Sequence, residues 1–396
     1  MKLEEQADLL ANNISGWETN TLERIGKRIN KYGKMSLSDV KSINNIAVAK
    51  GEMKEITAEL ARITGQNITQ IEAMYGRLLE EQHLANKPLY DYRNVKFVPF
   101  AKNKSLQSIV RAYAKTTAET MINLSKTKAL CFFDAVTGKT LGMEKAIYEA
   151  LGKATMAIST GAEDFHAAMR DTVKALGGSG VRVDYGSGVT RRLDTVVRQN
   201  LLFGAKQVSI EYNNMIGEEL GTDGIEIDYH SNPRPSHEFM QGKQYVLGKS
   251  RTINGVYFES ANEALARLED YGCQHYKTPI ICGVSEPRYD KKELLRLKAE
   301  DAKTYDIDGK QKTGYEVSQD MRKLETATRE QKRIRDMARA SGDKTLVKQC
   351  NERIKAYRAK YDDIASKAGI TPDYKRMSVT KSDAIGSPAK VVKKKS

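Results

Sequence analysis

Val347, Cys350, Ile354, Tyr357, Tyr361 and Ile364 recur at alternating spacings of three and four residues. Only an α-helix gathers such a series into one stripe. A stripe this narrow is the a/d seam of a helix lying lengthwise against another. A poorer seam precedes it, through Met321, Leu324, Thr328, Gln331, Ile334 and Ala338, and Ser341-Gly342-Asp343 separates the two. The pattern predicts an antiparallel helical hairpin or two arms of an intermolecular coiled coil.

Most of the remaining chain carries the same period. Ile56, Leu60 and Ile63 make one helical face that ends near Gly65. Asn67 with Gln70 reads as a capping-box start for a helix bearing Ile71, Met74, Leu78 and Leu79. Residues 86–103 read as a loop, with Pro88, Pro99 and the aromatics Tyr90, Tyr92, Phe97 and Phe100 pinning it to a helical core. Residues 105–176 are helical again, broken near Thr137-Gly138 and Ser159-Thr160-Gly161. Gly177-Gly178-Ser179-Gly180 and Gly186-Ser187-Gly188 read as further breaks. The second has neither the lysine of a P-loop nor the third glycine of a dinucleotide site, so no phosphate site is assigned to it. A long helix is predicted from Thr190 to Leu220, stopped by Gly221.

The β signal is confined to one region. Ile225, Ile227 and Tyr229 alternate with Glu226, Asp228 and His230, the pattern of a half-buried strand. Tyr245–Leu247 and Val256–Phe258 are short strand candidates, and Ile253-Asn254-Gly255-Val256 is a hairpin turn. Residues 222–285 thus read as a small α+β module within a mainly α chain.

Candidate chemistry falls in the same region. Of the histidines His83, His166, His230, His237 and His275, three lie between residues 230 and 275, beside Cys273 and Cys282. His237 with Cys273-Gln274-His275 offers the nitrogen and sulfur ligands that zinc takes, but without the C-x2-C or H-x3-H spacing of the strong zinc patterns. The expectation is a structural cluster with no metal and no cofactor. A Cys273–His237 nucleophile pair would need an activating neighbour and an oxyanion hole, and the sequence displays neither. In Asn232–His237, Pro233 and Pro235 fix the backbone and Ser236 is placed to cap a short helix starting at His237. Arg234 is then held where it can pair with a carboxylate or phosphate, structural pairing being the expectation. Zincin, hydrolase-elbow and kinase signatures are lacking. Asp306-Ile307-Asp308-Gly309 opens like a calcium loop but has no bidentate glutamate at the required offset, and reads as a turn. His83 and His166 read as ordinary helix residues. No enzyme is expected.

Charge sharpens the picture. The net charge is +14, distributed as +2 over residues 1–287, +7 over 288–370 and +5 over 371–396. Such asymmetry predicts a polyanion near the C-terminal part, most simply nucleic acid; the alternative is a solvated mixed-charge hairpin with a floppy tail. Residues 371–396 carry Pro372, Pro388, Lys390, Lys393, Lys394 and Lys395 with almost no apolar period, and are expected to be disordered. No apolar run is long enough to span a bilayer, and the acidic, amphipathic first residues do not read as a signal peptide. Four cysteines make no disulfide framework and suit a reducing compartment.

Several segments together resemble a known family. They are Arg234-Pro235-Ser236-His237, Gln241-Gly242-Lys243, Gly272-Cys273-Gln274-His275 and Gly283-Val284-Ser285-Glu286-Pro287. With them stand Asn123-Leu124-Ser125-Lys126-Thr127, Val183-Asp184-Tyr185, Arg191-Arg192-Leu193-Asp194, Val197-Arg198, and Thr313-Gly314-Tyr315-Glu316 followed by Gln319, Arg322, Leu324 and Glu325. The set is similar to the tailed-phage minor capsid protein 2 family, and its first part to the broader Mu-F-like head morphogenesis proteins. The likeness covers roughly residues 10–370, with Ser125 in place of the usual threonine and Gln274 in place of a basic residue. It implies a virion structural protein, at or near the portal in several copies, linked to head morphogenesis and the handling of packaged DNA. The implied setting is the phage head, assembled in the bacterial cytoplasm.

The expected organisation is a mainly α, elongated, multi-segment helical protein. Its parts are an N-terminal helical region (1–180), a long helix plus the α+β module (181–287), a C-terminal helical hairpin (288–370) and a disordered basic tail (371–396). Arg234, Pro235, Ser236, His237, Gly242, Cys273 and His275 are the expected structural motif of the module. Lys390, Lys393, Lys394 and Lys395 are the expected contacts to double-stranded DNA, bound without sequence preference. Portal and other head proteins are the expected partners, with no membrane. The competing readings are a metal-dependent hydrolase using His237, Cys273 and His275, or a nucleic-acid-binding protein outside any virion. No further domain is expected after residue 370, which argues against a fused toxin.

Overall fold

The computed structural model describes residues 3–379, apart from 127–128, 135–136, 163 and 271. Six helices come first: α1 (Leu3–Tyr32), α2 (Leu37–Ser42), α3 (Asn45–Gln66), α4 (Ile68–Ala85), α5 (Lys87–Arg93) and α6 (Lys104–Lys126). Along α1, Ala7, Leu10, Ile14, Trp17, Leu22, Ile25 and Ile29 form one buried stripe. Trp17 donates its indole N–H to the Ile56 carbonyl at 3.0 Å, so the one tryptophan buries its ring without leaving a polar group unpaired.

Two local expectations fail here for backbone reasons. Helix α3 runs through Gly65 to Gln66, and Asn67 joins it to α4 in a helical conformation (φ −82°, ψ −9°) with no side-chain cap. A capping side chain needs an extended backbone to turn back on the first N–H groups, so no capping box forms. The segment read as a loop contains α5, which takes Pro88 in its first turn, where a missing N–H costs nothing, and stops at left-handed Asn94. Its aromatics do pin it. Tyr90 is buried and Phe97 stacks on the buried His83 at 4.4 Å, while Tyr92 faces solvent.

A four-stranded antiparallel sheet follows that the sequence reading did not contain. Strands β1 (Leu130–Asp134), β2 (Lys139–Gly142), β3 (Arg182–Asp184) and β4 (Thr190–Arg192) stand in the order β2-β1-β3-β4. Helices α7 (Met143–Ser159) and α8 (Phe165–Ser179) lie between β2 and β3 in sequence. The Gly186–Gly188 segment is the β3–β4 turn, with Gly186 and Gly188 both at positive φ. The predicted break at Gly177-Gly178 is instead helical. A Cβ on Gly177 would sit 2.8 Å from the Ile334 Cα, so glycine there serves close helix packing and the chain turns only at Gly180. Helix α9 (Leu193–Leu220) starts after β4 and ends at left-handed Gly221, as the sequence implies. Its buried face, from Leu193 through Leu201, Val208 and Tyr212 to Leu220, belongs to the main core.

The α+β module is built on β5 (Gly224–Ile227), which lies between β6 (Gln244–Val246) and β9 (Lys277–Ile280), both antiparallel to it. Because β5 is central, all four of its residues are buried, Glu226 included, rather than alternate ones. Glu226 accepts from the Arg288 N–H at 2.8 Å and from Gln244 at 3.1 Å, which satisfies the buried acid. Strands β7 (Arg251–Ile253) and β8 (Val256–Phe258) form the expected hairpin over Asn254-Gly255, both at positive φ, and α10 (Asn262–Leu268) closes the module.

The C-terminal part begins with α11 (Lys291–Asp301) and the hairpin β10 (Thr304–Ile307) and β11 (Lys310–Thr313), whose turn is the Asp308-Gly309 pair. Helices α12 (Gly314–Ser341) and α13 (Lys344–Ala368) then make the predicted αα-hairpin, within one chain. Thr313 and Glu316 form a full capping box at the start of α12, and left-handed Gly342 ends it. The hairpin is not a free arm. Helix α12 also lies against α1 and α8, and Ile334, Met337, Ala338, Leu346 and Cys350 join the main core. Arg333 is fully buried, with Nη1 3.6 Å from Glu18 of α1, and Glu18 also accepts from the Val181 N–H. At the far end Ile307, Val317, Met321, Tyr361, Ile364 and Met377 form a separate core. Between the two ends, Ile354 and Tyr357 are only half-buried.

The region expected to be disordered needs correction at its start. Residues 371–379 are docked on the hairpin, with Met377 buried and Lys332 donating to the Met377 carbonyl at 2.8 Å. Tyr374 adds a hydrogen bond to Asp362 and a cation–π contact with Arg358. One methionine and one tyrosine anchor a stretch that shows no apolar period. The lysines Lys390, Lys393, Lys394 and Lys395 lie outside the described residues. Among the described residues no helix is long and apolar enough to cross a membrane.

Candidate functional site

The module carries its chemistry on the loop after β5 and the strand entry before β9. Pairing of Ile227 with Lys277 sets the register, and the Asp228 carboxylate extends it by accepting from the Tyr276 N–H at 2.8 Å. The 273–275 segment is thereby drawn beside residues 228–237. The loop itself is fixed by left-handed Asn232, whose N–H donates to Asp301 at 2.8 Å, and by the 3-10 turn Pro235–His237. Ser236 lies inside that turn and is exposed, so it caps nothing; Arg234 takes the N-cap position and is exposed too. Gly242 has φ +70° and donates to the Ile227 carbonyl at 2.9 Å. A Cβ there would meet the end of the Leu294 side chain of α11 at 2.5 Å, which could shift, so it is the positive φ that asks for glycine.

His237, Cys273 and His275 do come together. Their ligand atoms lie within 4.8 Å of one another, and Cys273 Sγ is 3.7 Å from His275 Nδ1. His237 is 2% exposed and His275 4%, so water does not reach either ring freely. His237 Nε2 donates to Asp270 at 3.1 Å, and His275 Nε2 to the Gln241 side-chain oxygen at 3.1 Å. The same Gln241 oxygen accepts from the His230 backbone N–H, which fixes the amide orientation and with it the His275 tautomer. His230 stands over His275 at 4.8 Å between ring centroids and donates to Asp228.

Electrostatics separate two of the rings. Burial first, and the charge of His230 next, push His275 down to about 4, so it is neutral at pH 7. His230 goes the other way. Burial pulls it down, but the hydrogen bond and charge of Asp228 outweigh that and raise it, with the Gln274 backbone adding to the same direction. The hydrogen bond from His237, with Arg267 and Arg234 behind it, holds Asp270 below the usual carboxylate range. Arg234 thus acts on the cluster through a surface carboxylate and not by entering the core. Cys282, the other cysteine of the module, is buried away from the cluster near Tyr245.

Asp270 and Gln241 are the functional neighbours that the sequence reading missed. Gln241 stood in a quoted motif, but nothing in its spacing gave it a partner. Elsewhere, a groove of about 700 Å³ runs between the first turns of α1 and α9, helix α12 and residues 371–376. Its lining mixes acidic residues such as Glu4, Asp8, Asp194 and Glu325 with Arg198, Arg322, Arg329 and Arg376.

The sequence matches the family described as phage minor capsid protein 2 over residues 1–364, so the match takes in the helical body, the module and nearly all of the hairpin. No curated protein and no solved structure matches the chain. With nearly its whole length accounted for in this way, the chain belongs to the phage minor capsid protein 2 family.

Proposed function

We propose that this protein is a structural component of the phage head, placed at or near the portal in several copies. In this reading it takes part in head morphogenesis and meets packaged double-stranded DNA through its basic C-terminal tail. Family membership supports the virion part of this reading. The observation that carries the DNA part is the distribution of charge. Residues 371–396 hold a net +5. Several basic side chains of the hairpin are, by contrast, already held in ion pairs, although residues 288–370 keep their net +7. Arg335 and Arg339 pair with Asp336, Lys312 and Lys323 with Asp320, and Lys360 and Lys367 with Asp308 and Asp363. The tail lysines are then the charges best placed to follow phosphates. A hydrolase built on the His/Cys cluster has less support, because a substrate would have to open the module to touch either ring.

Deleting residues 388–396 tests the DNA reading. Each lysine that neutralises a phosphate contributes about 0.9 to the log–log salt slope on duplex DNA, so full contact by Lys390, Lys393, Lys394 and Lys395 gives about 3–4. The truncated chain is expected to bind all sequences more weakly, with a flatter slope. Equal DNA affinity of both chains at low salt would leave the lysines to solubility or to an acidic portal patch. Cross-linking mass spectrometry on assembling heads tests the portal placement: cross-links confined to other head proteins would refute it.

A further inference from the structure

We propose that His237, Cys273 and His275 form a structural zinc site that locks the α+β module. The proposal goes beyond the head-protein reading and does not depend on it. Three donors of the right kind converge. A tetrahedral zinc with Zn–S of about 2.3 Å and Zn–N of about 2.0–2.1 Å separates sulfur and nitrogen ligands by roughly 3.6 Å. Cys273 Sγ and His275 Nδ1 are already 3.7 Å apart, and the His237 ligand atom lies within 4.8 Å of both. Closing the remaining gap takes side-chain rotation on the scale of an ångström.

The outer hydrogen bonds are those a zinc site needs. The Asp270 carboxylate can only accept, so the His237 proton sits on Nε2 and Nδ1 keeps its lone pair. The Gln241 oxygen, held in place by the His230 N–H, likewise puts the His275 proton on Nε2 and leaves Nδ1 facing Cys273. Metal-bound histidines characteristically give their second N–H to a carboxylate or carbonyl oxygen in this way. His230 is no ligand, because its Nε2 is engaged by Asp228 and it stands outside the three side chains whose ligand atoms converge.

Binding needs no redox partner. The Cys273 S–H bond breaks, its proton leaves to solvent, the sulfur electron pair forms the Zn–S bond, and each imidazole donates the lone pair of its Nδ1. The thiolate and the Asp270 carboxylate balance the two charges of the ion, and the fourth position is left to a water. Soft sulfur and imidazole donors select zinc over magnesium or calcium. The module gains from such a tie. Its own core is small, centred on Ile225, Ile227, Met240, Tyr245 and Leu268. The ion would join the turn after β5 to the entry of β9.

The full-length chain is purified, stripped of metal and titrated with zinc, then with cobalt(II) as a spectroscopic probe. The expected result is about one ion per chain, with the visible bands of tetrahedral cobalt and a thiolate-to-cobalt charge-transfer band. Cys273→Ser is expected to abolish that band, and Asp270→Asn to weaken zinc binding about 10–100-fold while keeping it. Should Cys273→Ser fold poorly, thiol labelling of the wild-type chain decides. Zinc should protect one cysteine more than chelator does, and mass mapping should identify it as Cys273. A wild-type chain that takes up no cobalt in tetrahedral form overturns the proposal, as does zinc bound equally well by Cys273→Ser or protection falling on another cysteine.

Discussion

Tyr361 and Tyr357 stand one helical turn apart in the same sequence seam, yet aspartate at the two positions is expected to have very different consequences. Tyr361 is 1% exposed, donates to Glu325 at 3.1 Å and accepts from the Asp373 N–H at 3.3 Å. Tyr361→Asp removes a buried ring, worth about 3–5 kcal/mol in comparable truncations. It also takes the donor from a buried glutamate and leaves a backbone N–H unpaired, about 1 kcal/mol more. The new carboxylate then lies beside Glu325, whose own carboxyl burial already raises. The expected loss is about 4–6 kcal/mol, a large fraction of the 5–15 kcal/mol that holds a typical domain. Tyr357 is half-buried, so an aspartate there keeps its access to water and costs about 1 kcal/mol. Thermal unfolding followed by far-ultraviolet circular dichroism measures both, at roughly 2 °C per kcal/mol for a chain of this size. Tyr361→Asp should also speed trypsin cleavage at the already exposed Lys375 and Arg376, since Tyr361 helps hold residue 373. Equal midpoints for the two variants, or a larger loss for Tyr357→Asp, would refute the two-ended picture of the hairpin core.

Two glycines inside helices should respond to alanine with opposite signs. Gly51 in α3 has open space around it, and Gly51→Ala is expected to raise stability by about 0.5–1 kcal/mol. Gly177→Ala forces a methyl against the Ile334 backbone and should cost about 1–3 kcal/mol; a neutral result in thermal unfolding would mean that α8 and α12 are not in such close contact. Glu18 supplies a pH test. Burial, and then Asp194, push its carboxyl up from 4.5 to about 8, against Arg192 and the Val181 N–H. A carboxyl raised on folding contributes its stability fully below its unfolded value of 4.5 and loses it as pH rises through about 8. The melting temperature of the wild-type chain should therefore fall relative to Glu18→Gln across that window, and a difference that stays constant with pH would show the carboxyl not to be raised.

Where a signal is carried within one element or one turn, the sequence pattern was enough. The α9 stripe and its Gly221 stop could be read directly, as could the β7–β8 turn at Asn254-Gly255 and the division of the hairpin at Ser341-Gly342-Asp343. Failures cluster where a third element intervenes. The strand β1, Leu-Cys-Phe-Phe-Asp, has no alternation because its first three residues are all buried, so its period looks like that of a buried helix. Gly177 looked like a breaker because its reason for being glycine is Ile334, more than a hundred residues away. Thr328 and Gln331 weakened the α12 seam on paper, yet both are buried, because α12 is enclosed by α1 and α8 as well as by α13.

The candidate site divides along the same line. Histidines and cysteines crowded into a short segment could be seen without coordinates, and the structure does bring His237, Cys273 and His275 together. What no spacing revealed is the outer ring of acceptors. Asp270 reaches His237 because it follows α10, and Gln241 reaches both His230 and His275 because the 3-10 turn folds it back under the loop. Those two residues decide the chemistry. With an acceptor on Nε2 of each ring, both keep a lone pair on Nδ1, which is the state that binds a cation. Had the partners been donors, the same three side chains would have presented N–H groups to one another and the cluster would have been a hydrogen-bonded plug. The distinction between a plug and a ligand set therefore rests on Asp270 and Gln241, and Gln241→Leu supplies a direct check. Losing the acceptor frees the His275 tautomer, so zinc affinity should fall while the packing of the side chain is roughly kept. Unchanged zinc affinity in that variant would mean that Gln241 does not set the His275 tautomer.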